Sequence, residues 1–195
     1  MSELDERIRS LLAAGDIGQA TTIALRQIGP EILGFLTGVL NNSNEQADEV
    51  FSTFMERLWR SLNGFEGRCS LRTWMYVLAR RELGRYRRGE QRHANGRVPI
   101  SQLQEILEEV RKTRTTIGVE RRNELTKLRD GLPVEDRTLL ILRVDRNMPW
   151  EDIALAFAEH PEETSEAEQK REAARLRKRF QLVKKKLMSQ LRPEV

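Results

Sequence analysis

Phe65-Glu66-Gly67-Arg68-Cys69-Ser70-Leu71-Arg72-Thr73-Trp74-Met75-Tyr76 is a glycine-bearing loop that turns into a helix, and its reading decides the fold. The Ser70 hydroxyl can take a backbone N–H of a helix starting at Leu71, and that helix is expected to run to about Arg88. Trp74 and Tyr76 stand two apart, so on a helix they project in different directions. One belongs in the core, and the other can stack on an unpaired base. Arg68, Arg72, Arg80, Arg81, Arg85, Arg87 and Arg88 supply charge that can track a phosphate backbone. The competing reading is that Phe65 and Trp74 only pack a small core, which for Trp74 alone is the default.

Nearly every segment on either side of this stretch carries helical periodicity, and alternating strand patterns are absent. Leu4, Ile8, Leu11 and Leu12 mark an opening helix closed by Ala14-Gly15-Asp16. Residues 17–27 make a second, and Pro30 is read as the early position of a third bearing Ile32, Leu33, Phe35, Leu36, Val39 and Leu40. Asn41-Asn42-Ser43-Asn44 is a turn. Val50, Phe51, Phe54, Leu58 and Leu62 then define the helix of residues 47–62, broken by Asn63-Gly64. Its outward residues Asp48, Glu49, Ser52, Thr53, Glu56 and Arg57 suit either a protein docking face or plain solvent.

Residues 89–96 lose apolar content and mark a boundary, followed by a short amphipathic helix at Leu103, Ile106, Leu107 and Val110. Beyond residue 122, Leu132-Pro133 and Met148-Pro149 each start a helix with acids in its first turn, where the helix dipole favours them. Ile153 and Phe157 are expected to form one buried stripe, and Leu176, Phe180, Val183 and Leu187 another. That arrangement leaves Arg175, Arg177, Lys178, Arg179, Gln181, Lys184 and Lys185 on an outer face, where arginine and glutamine can reach base edges of a duplex. A solvated basic face is the plain alternative. Between Phe157 and Leu176 the chain is longer than a tight helix-turn-helix requires, and the extra segment is acidic; Thr164 or Ser165 can cap a helix lengthened at its N-terminus.

Composition narrows the function. The chain has 195 residues, 38% apolar and 33% charged, with a net charge of +4; a sequence pI near 9.5 suits a polyanionic partner. One cysteine, Cys69, excludes an intramolecular disulfide, and two histidines far apart leave no material for a zinc site. No catalytic triad, phosphate loop or carboxylate pair is visible, so neither an enzyme nor a cofactor is expected. The start, Met1-Ser2-Glu3-Leu4-Asp5-Glu6-Arg7, lacks a signal-peptide pattern, and no apolar run nears the roughly 20 residues of a membrane span. A cytoplasmic protein without membrane contact is expected.

At these residues the chain resembles bacterial RNA polymerase sigma factors, specifically the extracytoplasmic-function class of the sigma-70 family. Ala47-Asp48-Glu49-Val50-Phe51 through Arg57-Leu58-Trp59 is similar to the family helix that docks on core RNA polymerase. The resemblance implies polymerase contacts at Asp48, Glu49, Ser52, Thr53 and Glu56, although Ser52 and Thr53 stand where the family often has Gln-Glu. The stretch from Phe65 to Tyr76 with Ala79-Arg80 resembles the loop and helix that open and read the minus-ten element. This implies DNA contacts from Arg68, Ser70, Arg72, Thr73, Trp74, Tyr76, Arg80, Arg81, Arg85 and Arg88. Leu132-Pro133 through Arg143, with Trp150-Glu151-Asp152-Ile153-Ala154, looks like the scaffold of the minus-thirty-five-binding domain. Leu176-Arg177-Lys178-Arg179-Phe180 looks like its recognition helix, which implies contacts from Arg175, Arg177, Lys178, Arg179, Gln181 and Lys184.

The expected fold is all-α. Residues 1–90 form a polymerase- and minus-ten-binding domain, 91–121 a partly helical linker, and 122–195 a helix-turn-helix domain without a wing. The expected function is to bind core RNA polymerase and direct it to promoter DNA, gripped as duplex and as opened strand. An anti-sigma protein joins the expected partners, since such inhibitors are common in the class. The alternatives are a helix-turn-helix regulator that binds duplex DNA without polymerase, and a helical adaptor that binds only proteins.

Overall fold

The computed structural model describes residues 2–89, 99–118 and 128–191, and among these no strand is present. The described residues are helical throughout apart from turns and caps, as an all-α sequence pattern requires. Two compact units divide at residues 117 and 118. The polar boundary at 89–96, apart from Gly89, and the expected start of the second unit near Arg122 lie outside the described residues.

In the first unit, α1 (Glu3–Ala13) is closed at its start by a reciprocal box in which Ser2 and Asp5 each satisfy the other's backbone N–H. Gly15, at a φ of +77°, makes the reversal into α2 (Ile17–Val39), whose first turn is capped by Asp16 on the Gln19 N–H. This helix corrects the sequence reading. Residues 17–39 are one helix, with Pro30 inside it, where two were expected. An interior proline costs roughly 3 kcal/mol through its missing N–H and its clash with the preceding turn. Ile28, Ile32, Leu33, Phe35 and Leu36 are all buried on the continuous helix, and each buried side chain of that size contributes about 1.5–3 kcal/mol. Packing on both sides of the proline therefore outweighs the break.

Asn41 and Asn42 adopt left-handed φ values of 55° and 60°, which asparagine tolerates, and Ser43 then caps α3 (Asn44–Ser61) at the Gln46 N–H. A short 3-10 turn (Leu62–Gly64) leads through the loop to α4 (Leu71–Arg87), capped by Ser70 as its sequence indicates. Val50, Phe51, Phe54 and Leu58 of α3 and Leu71, Met75 and Tyr76 of α4 close the core against α2, with Phe35 and Tyr76 edge to face at 5.3 Å.

Helix α5 (Ile100–Gly118), placed in a linker by sequence, belongs to the first unit. Leu103, Ile106, Leu107 and Val110 are buried, and Val110 lies over Gly29 of α2, where a side chain would come within 3.3 Å of it. Arg26 holds Glu109 through two bonds of 2.9 and 3.0 Å, and Gln102 donates to Thr22. Its amphipathic pattern was legible, but the surface that receives it was not.

In the second unit, α6 (Val134–Leu140) runs into a π-helical turn (Ile141–Asp145), followed by α7 (Trp150–Phe157) and α8 (Glu166–Leu191). Buried Arg137 donates to the carbonyls of Arg129, Asp130 and Leu132, so the turn before α6 needs no water to satisfy it. Met148, Ile153, Ala154, Ala156, Ala173, Leu176, Phe180 and Val183 form the core. Phe157 and Leu187, expected inside, are only half-buried, and Ala156 takes the inner position instead of Phe157. The acidic segment forms a turn at 160–164, after which Ser165 and Glu168 cap α8 reciprocally.

Candidate nucleic-acid interface

The loop 65–70 and α4 sort their candidate residues sharply. Tyr76 is fully buried and its hydroxyl donates to Glu31 Oε1 at 2.8 Å, so of the two aromatics it is the core member. Thr73 is buried as well, its Oγ1 2.8 Å from Ser70 Oγ, and the Ser70 hydroxyl also takes the Thr73 N–H. Tyr76 and Thr73 therefore shape the site from beneath and do not face a strand. Arg72 is bound by Glu31 of α2 through Nε at 2.9 and 3.1 Å and through Nη2, and its guanidinium lies 5.5 Å above the Tyr76 ring.

Trp74 is half-exposed and leans on Phe65, the ring centroids 5.3 Å apart. With 3.6 residues per turn, positions 74, 81, 85 and 88 fall on one side of α4. Trp74 thus heads a stripe that continues through half-exposed Arg81 and Arg85 to exposed Arg88. Half-exposed Arg80 and exposed Arg87 emerge on a different side. Arg85 Nη1 donates to Glu82 at 2.7 Å; burial pushes the Glu82 carboxyl above the usual range, against the lowering pull of Arg85 and Arg57. Exposed Arg68 pairs with Glu66 at 2.7 Å within the loop.

The α3 face is less open than its sequence suggests. Asp48 is held by Arg111 of α5 at 2.9 Å and its side chain is only 16% exposed. Ser52 and Thr53 donate their hydroxyls to carbonyls one turn back on α3, at Asp48 and Glu49. Glu49 and Thr53 are exposed, and Glu56 lies 3.8 Å from Arg60. Tyr86 of α4 bonds to Glu49; its partial burial, together with the Glu49 and Glu45 charges, raises the phenol's pKa.

On α8, Arg177, Lys178, Gln181, Lys184 and Lys185 are exposed, as expected from the stripe. Arg179 is the exception. It turns inward to Asp136 of α6 at 2.6 Å, because its position borders the buried side of the helix. Arg175 is exposed but bound through two bonds to Glu172, at 2.8 and 2.6 Å, and that bond holds the arginine above its ordinary pKa. The N-terminal part of α8 is thus compensated internally, by Glu172 on Arg175 and by Glu166 on Lys170.

Several residues that sequence reading passed over complete the site. Arg143, on the π-helical turn, lies 4.9 Å from the Trp150 ring centroid and Arg177 lies 5.5 Å from it, so one indole carries two guanidinium groups. Arg143 also donates to the Met148 carbonyl. Glu31 and Asp5 both reach α4 from elements far away in sequence, which no local spacing signals. Among the described residues no group of His, Cys, Asp or Glu could hold a metal ion, and no helix is long and apolar enough to cross a membrane. What the arrangement can do chemically is bind a polyanion and stack on bases.

Comparison with known proteins gives one family. Residues 24–93, from the middle of α2 through the whole of α4, match sigma-70 region 2. No curated protein matches the chain.

Proposed function

We propose, for a chain that belongs to the sigma-70 family through the region 2 at residues 24–93, that it is a sigma factor of the extracytoplasmic-function class whose two units divide promoter recognition between them. The family assignment carries polymerase binding and promoter melting as the role, and with it a non-enzymatic protein whose partners are core polymerase and promoter DNA. The residues that perform these steps are our reading. The observation that carries it is the stripe of Trp74, Arg81, Arg85 and Arg88, which offers an aromatic face and a run of cations along one side of α4.

In this reading the opened strand passes along α4, a base stacks on Trp74, and Arg81, Arg85 and Arg88 follow its phosphates. Base–aromatic stacking is worth about 1–3 kcal/mol per base, comparable with the cost of unstacking a step, so capture offsets melting. Glu49, Thr53 and Glu56 form the polymerase-facing part of α3. The second unit holds duplex DNA upstream through Arg177, Lys178, Gln181 and Lys184, with Arg143 beside Trp150 at the start of the bracing helix. An anti-sigma protein that covers these surfaces is the expected regulator.

Co-elution of the full chain with sigma-free core polymerase, followed by transcription from genomic fragments, tests the reading. Stable association with new start sites supports it. Duplex binding by the chain alone, without polymerase association, supports a conventional helix-turn-helix regulator instead.

A further inference from the structure

Helix α1 lies outside the residues that match sigma-70 region 2, yet it meets the loop that leads into α4 at Gly67 and at Leu71, where α4 begins. The carboxylate of Asp5 spans 66 positions to accept the N–H of Leu71 at 2.8 Å, the first N–H of α4. That donor has no partner inside its own helix. The other Asp5 oxygen accepts the Ser2 N–H at 3.0 Å, so the carboxylate is fixed from both sides, and the residue is only 5% exposed. One turn further along α1, Arg9 lies against Gly67. A Cβ at Gly67 would stand 3.6 Å from Arg9 Cδ, and its φ of +73° is one that side chains rarely adopt.

Asp5 therefore holds position 71, with Arg9 of the same helix face packed beside position 67, and Trp74 begins its side of α4 three residues after Leu71. We propose that Asp5 is a positioning residue for strand capture: it fixes the start of α4 so that loop 65–70 and Trp74 are ordered before a base arrives. This rests on the reading of Trp74 as the stacking residue. Ordering the receiving surface in advance removes part of the entropy cost of binding. The contact lies on the loop side of the unit, whereas the exposed polymerase-facing residues are on α3, whose packing on α2 and α4 does not pass through Asp5.

The test uses holoenzyme formed from the full chain and core polymerase on a promoter selected by the wild type. Strand opening is followed by permanganate reactivity of unpaired thymines, and polymerase affinity is measured in parallel. Removing a buried charge-assisted bond predicts that Asp5→Ala slows opening roughly tenfold or more at unchanged polymerase affinity. Asp5→Asn, whose amide oxygen still accepts from Leu71, recovers part of the rate; it also decides the matter should Asp5→Ala fail to fold. Opening at the wild-type rate overturns the proposal, and so does a proportional loss of polymerase affinity and opening in both variants, which marks a purely structural contact. A wild-type chain that fails to bind polymerase sinks the sigma reading itself, a separate outcome.

Discussion

Arg179 Nε lies 2.6 Å from Asp136 Oδ1, so the last residue in a run of three basic positions on α8 fastens that helix to α6 instead of facing outward. Its side chain is 33% exposed and that of Asp136 19%. Arg179→Ala is expected to lower the stability of the second unit by about 1 kcal/mol, the upper range for a partly exposed pair. Its neighbour Lys178→Ala should leave stability unchanged but reduce the salt dependence of duplex binding by about one unit of slope. Thermal unfolding and DNA titration at several salt concentrations separate the two; equal effects on both measurements would contradict the assignment.

Trp74 and Tyr76 should part in the same way. Tyr76→Phe removes the hydroxyl bond to Glu31 and is expected to cost roughly 0.5–3 kcal/mol of stability, the range for bonds to neutral and charged partners, with polymerase binding retained. Trp74→Ala is expected to weaken capture of an opened strand by about 1–3 kcal/mol. Urea unfolding monitored by circular dichroism and binding of a single-stranded minus-ten oligonucleotide to the holoenzyme form the matching pair of assays. A Trp74→Ala chain that captures the strand normally would leave the stripe without its aromatic member.

Much of this architecture was legible because its signals are local. Ser70 declares its helix by an oxygen placed just before Leu71, and the structure uses it as the cap; Ser43, read as part of a turn, instead caps α3, which begins three residues before the expected start at 47. Pro30 misled because its cost is local whereas the burial that overrides it is tertiary. The choice between Trp74 and Tyr76 stayed open for a related reason: residue spacing shows that they diverge, but only α2, with Phe35 and Glu31 beside Tyr76, decides which one is covered. The same holds for Asp48 and Arg179, whose partners stand 63 and 43 positions away.

Helix α5 gives a test of that tertiary component. Val110 is 2% exposed and rests over Gly29. Val110→Ala removes two methyl groups at about 0.8 kcal/mol each plus a cavity term, so a loss of roughly 2 kcal/mol is expected. Hydrogen exchange along residues 100–113 should accelerate correspondingly. A helix that merely bridges two domains would show neither change.

Acid should act through Asp5 with a defined sign. Burial alone would raise its carboxyl pKa, but the Ser2 and Leu71 N–H groups and the Ser2 side chain outweigh it, so the folded value lies below that of an ordinary aspartate. A carboxyl with a depressed folded pKa contributes stability above its unfolded value and loses it as pH falls through the folded one. The stability gap between wild type and Asp5→Asn should therefore be constant near neutrality and shrink below about pH 4. Unfolding at pH 7 and at successive steps below pH 4 checks this, and a gap that widens with acid would reverse the assigned direction.

The acidic start of α8 yields the last prediction. Glu172 binds Arg175 through both carboxylate oxygens, and Glu166 binds Lys170 one turn earlier. These glutamates lie on a helix whose more distal residues Lys178, Lys184 and Lys185 are exposed cations. A duplex phosphate near the α8 N-terminus would meet a compensated arginine and a like charge, which suppresses affinity there. Glu172→Gln should leave the Arg175 charge uncompensated and remove the repulsion, strengthening duplex binding severalfold at low salt and steepening its salt dependence by about one counterion. Glu166→Gln, further from the distal cations, should have the smaller effect. If neither substitution changes affinity, DNA engages only the distal cations, and the lengthened N-terminus stands clear of the duplex.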